Sequence, residues 1–339
     1  MALTERTGGV PALGRRFAVP DRVQQVGQTY GAVAALGLLF AINALFSPNF
    51  LARQSFVNVV TQVSTVVIVG VGMSLVIGTG GIDLSVGSLM AIAGSLAPLI
   101  FLVDKQRLRD DALLWNLLAI AAAVLLAGAF GFFNGVLVAG FRIQPIIATL
   151  VLYVAGRGIA QVMTGNGSQI SFENPGFQYL AAGRPLGVPF QGVLMVAIVA
   201  VAAWVVRATT FGRYLLATGD NERAARLAGV PVARVKVAVY VISGVLAGLA
   251  GLVEVAINKA ANPGSIGLNM ELDAIAAVAV GGTLLTGGRI TIVGTMVGAL
   301  ILQLIRVALL SQGVPDAVAR IVTAGTIVVA VLIQRRTGA

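Results

Sequence analysis

The feature that most constrains this chain is a series of continuous apolar runs that recur along almost its whole length. Ten can be placed, over 30–46, 57–78, 84–103, 112–140, 145–163, 192–206, 237–257, 272–285, 290–310 and 316–333. A helix of roughly 20 apolar residues crosses about 30 Å of hydrocarbon. The runs do not alternate, which excludes a transmembrane β-barrel. The expected fold is therefore all-α: a polytopic membrane protein with about ten transmembrane helices. The eighth run is short and contains Gly281 and Gly282. The tenth carries Arg320 near its start, where the side chain can snorkel to the surface.

Composition agrees. Of the 339 residues, 58% are hydrophobic and 11% charged, against about 25% charged in soluble proteins. There is no cysteine and no histidine. Disulfides, thiolate metal sites, haem ligation by histidine and histidine acid–base chemistry are thus excluded. The net charge of +10 reads as loop retention on one side of a membrane rather than nucleic-acid binding. With the N-terminus inside, fourteen Lys/Arg fall on the cytoplasmic side and seven outside. That bias favours cytoplasmic termini and an even number of spans. Residues 1–29 read as a cytoplasmic tail with an uncleaved first helix after it, 30–334 as the membrane domain and 335–339 as a short cytoplasmic tail.

One hydrophilic stretch interrupts the membrane domain. Residues 207–236 carry six Lys/Arg and two acids. Within it, 220–228 reads as a short helix capped by Asp220 or Asn221, with Glu222 in its first turn and Arg223 and Arg226 further along. Gly229 and Pro231 stop it. Thirty residues exceed what topology requires, so the helix is expected to dock in a groove of a partner. The loop 164–191 is rich in Gly, Asn, Ser and Pro. It is either a landing surface for an external partner or a plain connector.

Two segments echo one another. Residues 79–88 read TGGIDLSVGS and 286–295 read TGGRITIVGT. Such internal repeats are common in transporters; a chance echo in a Gly/Val-rich chain is the alternative. The pairs Gly80–Gly81 and Gly287–Gly288 allow a helix to break or two helices to approach. Asp83, with Ser85 beside it, either caps the following helix or lines a polar path, and capping is the preferred role. Asn134 is either packing glue or a contact for a hydroxyl-rich solute. Glu254 is the one convincing ionisable candidate for a path through the membrane. Arg157 is expected to pair with an acid or with carbonyls and hold the bundle. Glu271 and Asp273 are expected to cap a helix. No P-loop motif and no zinc, Ser/His/Asp or paired-carboxylate constellation occurs, so the chain is expected neither to be an enzyme nor to bind a cofactor.

These residues carry a resemblance. GTGGIDLSVGSLMAIAGS (78–95), FNGVLVAGFRIQPIIATL (133–150), GRGIAQVMTG (156–165), GDNERAARLAGV (219–230) and MELDAIAAVAVGGTLLTGG (270–288) resemble permease subunits of bacterial ABC sugar importers of the ribose/xylose/galactoside class. Residues 142–175 and the GGRI at 287–290 look most like the galactofuranose importer's permease. The resemblance implies a type II ABC importer-like permease in the bacterial inner membrane. It implies partnership with a second permease, a cytoplasmic ATPase that binds ATP and Mg, and a periplasmic sugar-binding protein, with lipid around the bundle. The family's coupling segment maps onto Asp220, Asn221, Glu222, Arg223, Ala225, Arg226 and Gly229. Asp220 stands where relatives often have Gly or Asn. Two rivals remain: an ion-coupled secondary transporter built on Glu254, and a structural scaffold.

Overall fold

The computed structural model describes residues 21–102 and 112–337, and within them the side chains of 31–102 and 112–328 apart from residue 186. The basic residues Arg6, Arg15, Arg16, Lys105, Arg107 and Arg109 lie outside the described residues, as do the side chains of Arg22, Arg335 and Arg336.

Hydrocarbon supplies no hydrogen-bond partner, so apolar runs must satisfy their own backbone, and they do so as helices. In chain order these are α1 (Asp21–Phe46), α2 (Arg53–Gly78), α3 (Val86–Leu102), α4 (Ala112–Ala139), α5 (Pro145–Met163), α6 (Pro175–Ala182), α7 (Phe190–Ala208), α8 (Thr210–Asp220), α9 (Glu222–Leu227), α10 (Val232–Asn258), α11 (Met270–Val280), α12 (Ile292–Ser311) and α13 (Asp316–Thr337). Two two-residue strands, β1 (Ile170–Ser171) and β2 (Ala260–Ala261), pair antiparallel.

Among the described residues, α2, α4, α5, α7, α10 and α12 are long and apolar enough to cross a membrane, and α3 and the 31–46 part of α1 are shorter apolar helices. The apolar part of α1 spans Gly31–Phe46. The eighth run departs most from a simple span. Its helix, α11, has 11 residues, about 16 Å of rise and half of the hydrocarbon thickness. Residues 281–291 continue as turns because Gly282, Gly287 and Gly288 take positive φ.

Burial sorts the helices. The apolar windows of α2 and α10 are 78% and 67% buried, against 28% in α4, α5 and α7. The core is thus built from Val67, Ile68 and Met73 of α2, Leu89, Met90 and Ile92 of α3, and Tyr240, Ala247 and Ala250 of α10. The outer helices turn Leu113, Leu125, Val154 and Trp204 outward, the exterior that a chain surrounded by lipid needs.

The most extensive helix pairing is α4 against α10. Ala127, Gly131 and Gly135 recur every four residues and face Tyr240, Gly244 and Gly248. A Cβ at Gly131 would run into the Tyr240 carbonyl, and one at Gly244 into the Ala127 carbonyl. Small residues at this spacing let backbones meet, which is the main attraction available between helices in lipid.

The bundle has two distinguishable ends. The insert end collects the turn after α2, the α4–α5 turn, the 207–236 stretch and the turns before α12. The bracket end carries β1, β2, α6 and the α1–α2 and α12–α13 turns, the last two joined by a bond from Ser311 to Ser47 (2.8 Å). Gly131→Ala is expected to force the seam apart and destabilise the protein by about 1–3 kcal/mol, seen as an earlier thermal unfolding midpoint in detergent. Gly158→Ala, where a Cβ meets nothing within 4 Å, is expected to leave that midpoint unchanged.

Candidate functional site

At the insert end the chain makes an elbow. The short helix expected over 220–228 is present as α9, and a second helix, α8, precedes it. Asp220 closes α8, and Asn221, extended at φ −151 and ψ 98, caps α9 by accepting from the Ala224 amide (3.0 Å). Asn221 is therefore the cap and Asp220 is not. The extended residue turns the chain because a side-chain amide replaces the backbone acceptor that a continuous helix would supply.

Glu222 ties α9 down. It accepts from Arg226 (2.8 Å) on its own helix and from Lys236 (2.7 Å) at the start of α10. Ala225 is buried beneath α9, whereas Leu227 is 90% exposed. Gly229 ends the element with φ +80. Arg142, in the α4–α5 turn at φ 57, lines a groove with Asp220, Asn221, Glu222, Arg223 and Arg226. The elbow therefore presents two arginines, Arg223 and Arg226, and a bare leucine beside a polar groove.

The two TGG segments meet directly behind the elbow. The Gly288 amide donates to the Gly78 carbonyl (3.1 Å). Gly80, Gly287 and Gly288 have positive φ, while Gly81 does not and instead lies under the Tyr240 hydroxyl. The echo at 79–88 and 286–295 is thus a spatial neighbourhood as well as a sequence repeat.

Deeper in the bundle, Asp83 is fully buried at the start of α3. One carboxylate oxygen accepts from the Ser85 amide (3.0 Å) and hydroxyl (2.6 Å), and the other from Ser243 of α10 (2.8 Å). Asn134 of α4 donates to the Ser85 hydroxyl (2.8 Å). Asp83, Ser85 and Asn134 are thereby brought into one knot that joins α3, α4 and α10. Ser243 completes it, while the Tyr240 hydroxyl and the Asn134 amide oxygen lie buried without a hydrogen-bond partner among the described residues. Ser243 and Tyr240 were absent from the sequence-based set. Their signal was a lone hydroxyl pair in the apolar run of α10. All five are buried.

Glu254 and Arg157 hydrogen-bond not to that knot but to the segment after β2. Arg157 donates to the carbonyls of Pro263 (2.8 Å), Gly264 (3.4 Å) and Ile266 (3.0 Å). Glu254 accepts from the Gly267 amide (3.1 Å). Both residues therefore hold the same loop, 262–267, which folds back into the bundle until Gly267 touches Gly87 and Met90. Irregular backbone at that depth is tolerated because it is wrapped in protein. Glu271 and Asp273 sit in the first turn of α11, but its cap position is Asn269, in the left-handed region with no side-chain bond. Neither acid occupies the cap position, and Glu271 instead accepts from its own backbone amide in the first turn.

The residues 55–331 match the family described as branched-chain amino acid transport system / permease component. The chain is 44% identical over 310 residues to the ribose import permease protein RbsC of Escherichia coli K12, covering 90% of this chain and 93% of that one. It is 35% identical over 328 residues to the galactofuranose transporter permease protein YtfT of the same strain, covering 94% and 91%. It is 33% identical over 313 residues to the L-arabinose ABC transporter permease protein AraH of Azospirillum brasilense, covering 92% and 89%. No solved structure matches. The chain belongs to this permease family and is a multi-pass membrane protein. Of the two Escherichia coli relatives, the ribose permease is the more similar, where the sequence blocks alone pointed to the galactofuranose one.

Two outcomes are expected. Arg157→Ala removes charge-assisted bonds that contribute about 1.5–3 kcal/mol each, so 262–267 should loosen. In this cysteine-free chain, Ser265→Cys should then react faster with a membrane-impermeant maleimide than it does with Arg157 intact. The second concerns Glu222, whose carboxyl is held below its ordinary value by the Lys236 hydrogen bond, against partial burial, and then by Arg226. A depressed carboxylate stabilises above its unfolded value of about 4.3, and the contribution is lost as pH falls through the lower folded value. The pair is half exposed, so the contribution is less than about 1 kcal/mol. Amide exchange at 222–228 should rise below about pH 4, and Glu222→Gln should show raised exchange already at neutral pH.

Proposed function

We propose that this chain is the transmembrane subunit of an ATP-driven importer that carries a monosaccharide across the bacterial inner membrane. The observation that carries the reading is identity to sugar import permeases over nine-tenths of the chain. A solvent-facing elbow of the kind a motor subunit can grip supports it. The greater identity to the ribose permease makes a pentose the first solute to try, with galactofuranose second.

In this reading the insert end faces the cytoplasm, as do both termini. A separate ATPase, holding ATP and Mg, docks on α9 through Leu227, Arg223 and Arg226, with Asp220, Asn221, Glu222, Ala225 and Gly229 setting the element's shape. A periplasmic binding protein delivers the sugar at the bracket end, near 164–191 and 258–271. The solute passes between this chain and a second permease. Selectivity rests with the binding protein, so the permease has no need of a tight sugar site. Asp83, Ser85 and Asn134 act as a buried joint whose rearrangement gates the passage. Arg157 and Glu254 steady the loop on the entry side. Gly80, Gly81, Gly287 and Gly288 let the turns at the insert end stack.

The ion-coupled alternative requires Glu254 to exchange a proton or cation. Its engagement with the Gly267 amide favours a fixed structural anchor. The tagged chain, purified from native membranes in mild detergent, is expected to bring down a P-loop ATPase. Leu227→Asp, which places a charge at the exposed contact, should cut that recovery at least tenfold while the permease still purifies at normal yield. A chain that purifies without an ATPase and transports in ATP-free vesicles contradicts the proposal.

A further inference from the structure

The elbow does not simply hang from the bundle. Gly219, the penultimate residue of α8, lies where three backbones cross. A Cβ there would collide with the Gly78 carbonyl at the end of α2 and stand 2.5 Å from the Gly288 amide nitrogen. A Cβ at Gly287 would stand 3.0 Å from the Gly219 carbonyl oxygen and 2.9 Å from the Gly80 nitrogen, and one at Gly288 would stand 3.0 Å from the Asp220 Cα. The end of α2, the end of α8 and the turn leading into α12 therefore touch main chain to main chain. Leu215, fully buried, and Ile290 close over Gly78 from two sides.

Only Asp220 and Asn221 separate this crossing from α9, and the link is stiff. The Asn221 amide donates to the Ala217 carbonyl (3.2 Å), and the Asn221 carbonyl accepts from Ala225 (2.9 Å). Beyond the crossing, the chain runs on one side through Gly80 and Gly81 to Asp83, which is bonded to α10. On the other side it runs to Thr291, whose hydroxyl donates to the Gly281 carbonyl (2.8 Å) and whose amide donates to Thr283 (3.0 Å). Both TGG turns thus rest on the same residue of α8. Close-packed backbone transmits displacement because it has no soft side chain to absorb it.

We infer that Gly219 is the positioning residue through which movement of α9 reaches the two TGG turns, and through them α3 and α12. This rests on the ATP-driven reading above. Alanine forms helix better than glycine, so on propensity alone Gly219→Ala should stabilise α8. Any loss must come from the crossing.

The test is made on the whole complex of permeases, ATPase and binding protein in proteoliposomes. Ribose uptake and ATP hydrolysis are measured on the same vesicles. For Gly219→Ala the complex should assemble and hydrolyse ATP, while uptake per ATP falls at least tenfold. Gly131→Ala, in the structural seam, is expected to lower both activities together and leave their ratio unchanged. If Gly219→Ala does not accumulate, Ile290→Ala carries the test. It loosens the same crossing without adding an atom, and its ratio should fall at least threefold. An unchanged ratio in the variant tested, with the wild-type complex ATP-driven, overturns the assignment of Gly219 alone. A wild-type complex that takes up solute without ATP overturns the reading on which the assignment rests, and the assignment with it.

Discussion

Everything in this structure depends on one constraint: a polar backbone placed in hydrocarbon must find its partners inside the protein. Long helices meet it trivially. The instructive parts are those that are not long helices. The loop 262–267 folds back into the bundle and is held there by Arg157 and Glu254. The start of α3 lies inside the protein and is closed by Asp83. The turn before α12 lends an amide to the last carbonyl of α2. In each place a polar side chain or a neighbouring backbone supplies what lipid does not.

The glycine seam makes this enclosure possible. With Gly131 and Gly244 in contact with opposing carbonyls, α10 lies close enough to α4 and α3 for Ser243 to reach Asp83 and for Asn134 to reach Ser85. The knot is therefore a product of helix approach rather than a motif of its own. The same economy of side chains recurs at Gly219, where close approach joins the elbow to the bundle. One half of the molecule is thus rigid and apolar. The other end is a thin, charged element whose fixed contacts are the Glu222 pairs on one side and bare backbone on the other.

Much of the architecture was legible because its cause is local. Continuous apolar runs are helices in any membrane, and the shortness of α11 was visible in Gly281 and Gly282. The split of the elbow was not legible, since Asp220 and Asn221 are both good caps and only the extended φ of Asn221 decides between them. Asp83 accepts from the Ser85 amide just ahead of α3, a local bond its position suggests, but its second partner, Ser243, is 160 residues away and no spacing rule reaches that far. Glu254 looked like a group on a path because an acid in an apolar run carries no mark of its partner. That partner is a backbone amide on a loop whose re-entry leaves no period in the sequence. The 90% exposure of Leu227 was not legible either, since it depends on which way α9 rolls about Ala225.

The central claim is that α9 is the grip of a separate motor. Because the natural chain has no cysteine, Leu227→Cys places a single thiol on that grip. A short photo-crosslinker attached there and fired in native membranes should yield one major protein adduct, whose partner is a P-loop ATPase, with its yield changing when ATP is supplied. Adducts to lipid alone, or no protein adduct under conditions where solute uptake continues, would contradict the account.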